Sequence, residues 1–226
     1  MSTKNQELKK QLALKSDQLK RTFYQDMLST TDVKLKTLQG DTARAMHRGM
    51  CYNIYKPSSI FKNWVHNEFF ESKDFQDMLL NEKNFEKLHS STLNSLRSHW
   101  FTVEPDVEDS MPDYLFYKMI DLLFKSISRW EKLENNRRDW YFLNVNVPLD
   151  KYSLKCLSKY HDSFTVKNPR MGFIKNAEMY DDVQRMIKEL IAPHPPLLFD
   201  LFAWDHERVK DNANKVSFAL VKAKTK

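Results

Sequence analysis

Apolar residues recur along this chain at spacings of three and four, and the densest such run defines its centre. Leu115, Phe116, Met119, Ile120, Leu122, Leu123, Ile127 and Trp130 cover most of the circumference of a helix over 114–133, which predicts the central buried helix of the fold. Lys118, Asp121 and Lys125 interrupt that surface as a narrow polar stripe, and such a stripe on a buried helix either reaches solvent or lines a cleft. The same period predicts an amphipathic helix over 5–28 (Leu8, Leu12, Leu19, Phe23, Met27) and another within 30–56, with caps at Asp32 and Asp41 and apolar Ala43, Met46, Met50 and Ile54. After Pro57-Ser58-Ser59 come Ile60, Trp64, Val65 and Phe69 in helical register, a short helix behind Ser72, and a longer one over 84–100 carrying Phe85, Leu88, Leu93, Leu96 and Trp100.

Beyond the central run, 134–147 (ENNRRDWYFLNVNV) reads as a buried extended segment crossing the core. Pro148-Leu149-Asp150 then opens a helix with Leu149, Tyr152, Cys156, Leu157 and Tyr160 on one side. A further helix over 177–191 places Tyr180, Val183, Met186, Ile187 and Leu190 on the core. PHPP at 193–196 stops it and starts another, with Pro195 or Pro196 in the first turn. The last residues, KVSFALVKAKTK, alternate weakly, as a short strand or extended tail would.

Composition reinforces an all-α fold. Only 3 glycines occur in 226 residues, too few for the tight turns of an all-β or nucleotide-binding α/β architecture. Residues 102–113 are acidic, contain two prolines and break the helical pattern, so the expected organisation is two lobes: residues 1–101, an acidic loop over 102–112, and residues 113–226. No apolar run approaches bilayer length and the N-terminus lacks a signal-peptide core, which points to a cytoplasmic or nucleoid-associated protein with no membrane partner. Cys51 and Cys156 lie in apolar-patterned segments, as buried thiols rather than a disulfide or metal pair. The histidines form no HxxxH or Cys/His cluster, so neither metal nor cofactor is expected.

The formal charge of +6 favours polyanion partners modestly. Arg137 and Arg138 beside Trp140 and Tyr141 are side chains of the kind that contact phosphate and stack on bases, although a buried crossing segment accounts for the aromatics equally well. Lys125 and Lys151 are further candidates for nucleic-acid contact. Arg44, His47 and Arg48 share a segment that touches phosphate or forms a solvated face. No P-loop, GxSxG, HExxH, paired CxxC or kinase set is present, which removes the enzyme classes that those motifs announce.

In MPDYLFYKMIDLLF, VPLDKYSLKCL and YDDVQRMIKELIAPHPPLLFDLFAW, the second half of the chain resembles the helix-hairpin-helix DNA glycosylases. The resemblance implies an all-α fold in which a hairpin opens a helix and a later Pro-x-Asp turn presents a carboxylate, here Asp150. It implies that Asp150 stabilises the positive charge developing on the sugar as the base leaves, or positions the attacking nucleophile, and that Lys118 holds the position of the amine nucleophile of bifunctional members. At the hairpin position this chain reads SMPDYLFYK, without glycine. A glycosylase extracts its base from the stack, and Trp130, Trp140, Tyr141 and Tyr152 are the candidates for that pocket and wedge.

The expected function is thus base excision from damaged or modified DNA, of which phage DNA is one source. Two other classes stay open: a non-enzymatic helical nucleic-acid-binding protein, nucleocapsid-like or a phage accessory factor, and an interaction module using the N-terminal amphipathic helix. For Asp150 an ordinary helix cap competes with the catalytic role, and for Lys118 a solvated lysine does.

Overall fold

The computed structural model describes residues 3–33, 57–103, 113–167 and 169–207. The protein is all-α, with no β-strand among the described residues. Helix α1 spans Thr3–Gln25 and α2 spans Pro57–Asn63, running on into a π-helical stretch Trp64–Phe69. Then follow α3 (Lys73–Asn81), α4 (Phe85–Val103), α5 (Asp113–Ile127), α6 (Asn135–Asn144), α7 (Lys151–Tyr160), α8 (Ala177–Ile191) and α9 (196–207). Of the expected 30–56 helix, residues 34–56, with Asp41, Arg44, His47, Arg48 and Cys51, lie outside the described residues, as do residues 104–112 of the expected acidic loop, whose first two residues are the helical end of α4, and residues 208–226.

Local chemistry sets the starts. Ser72 Oγ accepts from the Phe75 amide at 3.3 Å to open α3, and Asn176 Oδ1 accepts from Met179 at 2.9 Å to open α8. Near the N-terminus, Ser29 Oγ accepts from the Asp32 amide at 3.1 Å, so Ser29 is the cap of the helical residues 30–33 and Asp32, expected as the cap, is its reciprocal partner. Pro196 is the first helical residue of α9.

Two expected boundaries move. The central helix ends at Ile127, because Leu28 exchanges backbone hydrogen bonds with the turn behind it: its N–H donates to Arg129 O and its carbonyl accepts from Glu131, both at 2.9 Å. The segment read as extended is helical over Asn135–Asn144, where Tyr141, Phe142 and then Val145 bury one side while Asn136, Asp139 and Leu143 face solvent; only 145–150 is extended.

Helix α5 is central, with Leu115, Phe116, Met119, Ile120, Leu123, Phe124 and Ile127 all buried, and it packs on α4 and α6. One apolar core joins residues from both halves of the chain, and Leu8 and Leu12 of α1 are wholly buried in it. Helix α1 packs against α7 and α8, so the first helix closes over the last third of the fold. No helix among the described residues is long and apolar enough to cross a membrane.

Candidate functional site

The extended segment 145–150 is buried throughout and delivers Asp150 to the start of α7. Gln184 of α8 fastens it: the Val147 amide donates to Gln184 Oε1 at 3.0 Å, and Gln184 Nε2 donates to Val147 O at 2.8 Å. Asp150 Oδ1 accepts from the amides of Tyr152 (2.7 Å) and Ser153 (3.0 Å), while Ser153 Oγ accepts from the Asp150 amide at 2.8 Å, completing a capping box. The positive end of the α7 dipole and two N–H donors thus converge on a carboxylate that is only 8% exposed.

Around Asp150 lies a charged cluster. Asp200 of α9 is fully buried, and Lys125 Nζ donates to its Oδ2 at 2.5 Å. Burial lifts the Asp200 carboxyl above its ordinary range; Lys125 opposes this most, Asp150 reinforces it, and Lys118 draws it down. Lys118 and Asp150, paired in the sequence reading, therefore both lie within electrostatic reach of one buried acid. The rings of Tyr152 and Trp204 pack 4.9 Å apart beside it, with Lys151 Nζ 4.3 Å from the Tyr152 ring. Asp200 escaped the sequence reading; the signal was an acid within the apolar run Leu197-Leu198-Phe199-Asp200, on a helix facing the polar stripe of α5.

The remaining candidates, Trp130, Arg137, Arg138, Trp140 and Tyr141, lie elsewhere in the fold. Arg137 caps the C-terminal end of α3, donating from Nε to Leu79 O (2.7 Å), from Nη1 to Glu82 O (2.6 Å) and from Nη2 to Met78 O (3.2 Å). Its guanidinium lies 3.9 Å from the Trp140 ring centre, so the Arg-aromatic grouping clamps α6 to the end of α3. Tyr141 has no exposure and donates to Leu79 O at 2.7 Å; Trp130 is buried and donates to Thr30 Oγ1 at 3.1 Å. Neither presents a face to a base. Trp140 is half-buried against Phe85, and Arg138 is engaged by Asn135.

The other side of the polar stripe backs a second feature. Between α4 and α8 lies a cleft of about 740 Å³, walled by Arg97, Tyr117, Asn146 and Lys188, with His89 and Tyr180 at its floor. Behind the floor, Asp121 Oδ1 meets His89 Nε2 at 3.0 Å and accepts from Tyr180 OH at 2.8 Å, and Asn146 Nδ2 donates to Tyr180 OH at 3.1 Å. Tyr117 stacks on Tyr180 at 4.0 Å and 12°. Burial raises the Asp121 carboxyl, opposed by His89, and pushes the Tyr180 phenol up as well. The tyrosines stack on each other, so no ring enters between them. The network ties α4, α5 and α8 to the segment that leads to Asp150.

No group of three or more His, Cys, Asp or Glu residues fit to hold a metal ion occurs among the described residues. Comparison with protein-family models, with curated proteins and with solved structures finds no match to this chain.

Proposed function

We propose that the protein is a base-excision enzyme that binds DNA, takes a damaged or modified nucleotide out of the stack and cleaves its glycosidic bond with Asp150. The observation that carries this reading is the setting of Asp150: a carboxylate oriented by two amides at a helix N-terminus, within electrostatic reach of the buried Asp200, which pairs with Lys125 and also feels Lys118. As the bond from sugar to base breaks, its electron pair leaves with the base and positive charge develops on the sugar. A fixed carboxylate stabilises that charge without reorganising. Water adds to the sugar carbon, losing a proton, and the departing base gains one. Lys118 is the amine nucleophile if strand cleavage accompanies excision. Tyr152, half-buried against Trp204, is the aromatic nearest this carboxylate in the chain and is the candidate for contact with the displaced nucleotide.

The test is incubation of wild type and Asp150→Asn with duplexes containing damaged and modified bases, followed by alkali. Breaks from wild type alone support the reading; an intact panel with both proteins defeats it. A second reading, nucleic-acid binding without catalysis, is favoured by one observation: the capping box with Ser153 gives Asp150 a complete structural role. It expects salt-dependent binding and no product.

A further inference from the structure

One of the strongly basic stretches of this chain lies directly behind Asp150. Residues 151–175 carry Lys151, Lys155, Lys159, Lys167, Arg170 and Lys175 against the single acid Asp162, within a protein whose whole formal charge is +6. Lys155 is half-buried and the other five are exposed. By contrast, the stretch around Arg137 and Arg138 is balanced by Glu131, Glu134 and Asp139.

Structure turns this composition into a surface. Lys151, Lys155 and Lys159 follow one another at four-residue intervals on α7, which places them on one side of the helix about 6 Å apart. The loop behind α7 folds back onto that side, held where Ser158 Oγ donates to Val166 O at 3.2 Å. This brings Lys167 to a shallow groove of about 390 Å³ shared with Lys155, Ser158, Lys159 and Thr165. His206 Nε2 lies 3.2 Å from Lys159 Nζ, and the neighbouring acid Asp205 is engaged by Lys15 at 2.9 Å.

We propose that this edge, the lysine side of α7 with Lys167 of the following loop, docks the phosphate backbone of duplex DNA. It rests on the nucleic-acid part of the function proposed above, and not on catalysis. Each duplex strand carries a charge about every 3.4 Å of axis, so a lysine row of about 12 Å faces three or four phosphates. The row begins at Asp150, so a backbone lying along it runs away from the carboxylate. The partner is a polyanion read by charge and spacing, not by sequence.

The experiment is a salt titration of binding to a dye-labelled unmodified duplex, read by fluorescence anisotropy. It compares wild type, the triple variant Lys155→Gln/Lys159→Gln/Lys167→Gln, and a control triple variant Lys10→Gln/Lys62→Gln/Lys73→Gln. Each phosphate contact contributes about 0.9 to the slope of log affinity against log salt, so the edge variant is expected to lower the slope by about 2 to 3, and the control to leave it unchanged. If the edge variant loses its helical circular dichroism, the loop pair Lys167→Gln/Arg170→Gln replaces it, with an expected drop of about 1 to 2. Equal slopes in edge and control variants, or no binding by wild type, overturn the proposal. A lowered slope with no alkali-labile product leaves the edge standing and removes base excision; product formation with an unchanged slope does the reverse.

Discussion

Lys125 and Asp200 form an ion pair of 2.5 Å in which the acid has no exposure at all. Removing one partner of a buried pair strands the other charge, at a cost of about 3 to 5 kcal/mol, whereas replacing both by apolar groups of similar size is often neutral. Asp200→Ala is therefore expected to lose most of that amount in urea denaturation, and Lys125→Met/Asp200→Leu to recover most of it. A double variant no more stable than the single one would show that the pair does more than neutralise itself.

Asp150 has a structural role and a proposed chemical one, and two substitutions separate them. Asparagine caps helices about as well as aspartate, so Asp150→Asn is expected to keep stability within about 0.5 kcal/mol while abolishing excision. Asp150→Ala loses the cap as well, about 1 kcal/mol. Full excision by the asparagine variant would return the residue to a purely structural role.

Arg137 is expected to behave as an internal clamp. Its guanidinium satisfies three carbonyls at the end of α3 and lies over Trp140. Arg137→Ala should destabilise the fold by about 2 to 3 kcal/mol, as hydrogen bonds to charged groups do. The salt slope of DNA binding should stay at the wild-type value; a drop of about 1 would restore Arg137 to the phosphate contacts.

The acid behind the cleft gives a pH signature. Burial raises Asp121 above the ordinary 3.8, so the folded state holds its proton more tightly than the unfolded chain does. That contribution is fully present below 3.8 and is lost as pH rises through the raised value. Asp121→Asn lacks this titration. The stability of wild type minus that of the variant is thus expected to be greatest in acid and to shrink as pH climbs; a difference growing with pH would mean that His89 and Tyr180 hold the carboxylate below its ordinary range.

Periodicity carried the helices well. The apolar positions of the central run, from Leu115 to Ile127, are buried in α5 as their spacing predicts, apart from Leu122, which is half-buried, and α8 spans the predicted 177–191. Spacing could not identify partners distant in sequence. Arg137 finds its acceptors on α3, at Met78, Leu79 and Glu82, between 55 and 59 residues away in the sequence, and Trp140 and Tyr141 close over the same place. The polar stripe of α5 was visible, but its division was not: Asp121 turns to His89 and Tyr180, and Lys125 to Asp200, because α8 and α9 arrive on different sides of one helix. The lysine edge was not singled out in the sequence, where Lys and Arg are scattered through nearly every segment; it takes the loop folding back at Ser158 and Val166 to bring Lys167 to the lysines of α7.

Gln184 meets both backbone groups of Val147 and so stands in for a neighbouring strand. A single side chain thereby sets the phase of the short run that ends at Asp150. Inserting one residue between Val147 and Asp150 would leave both that clasp and the capping box closed yet displace the carboxylate, together with α7, relative to Asp200 and Lys125, whereas the same insertion before Asn146 would be absorbed upstream. The position of Asp150 is thus governed by an amide on another helix, and the spacing 147–150 is the dimension that sets it.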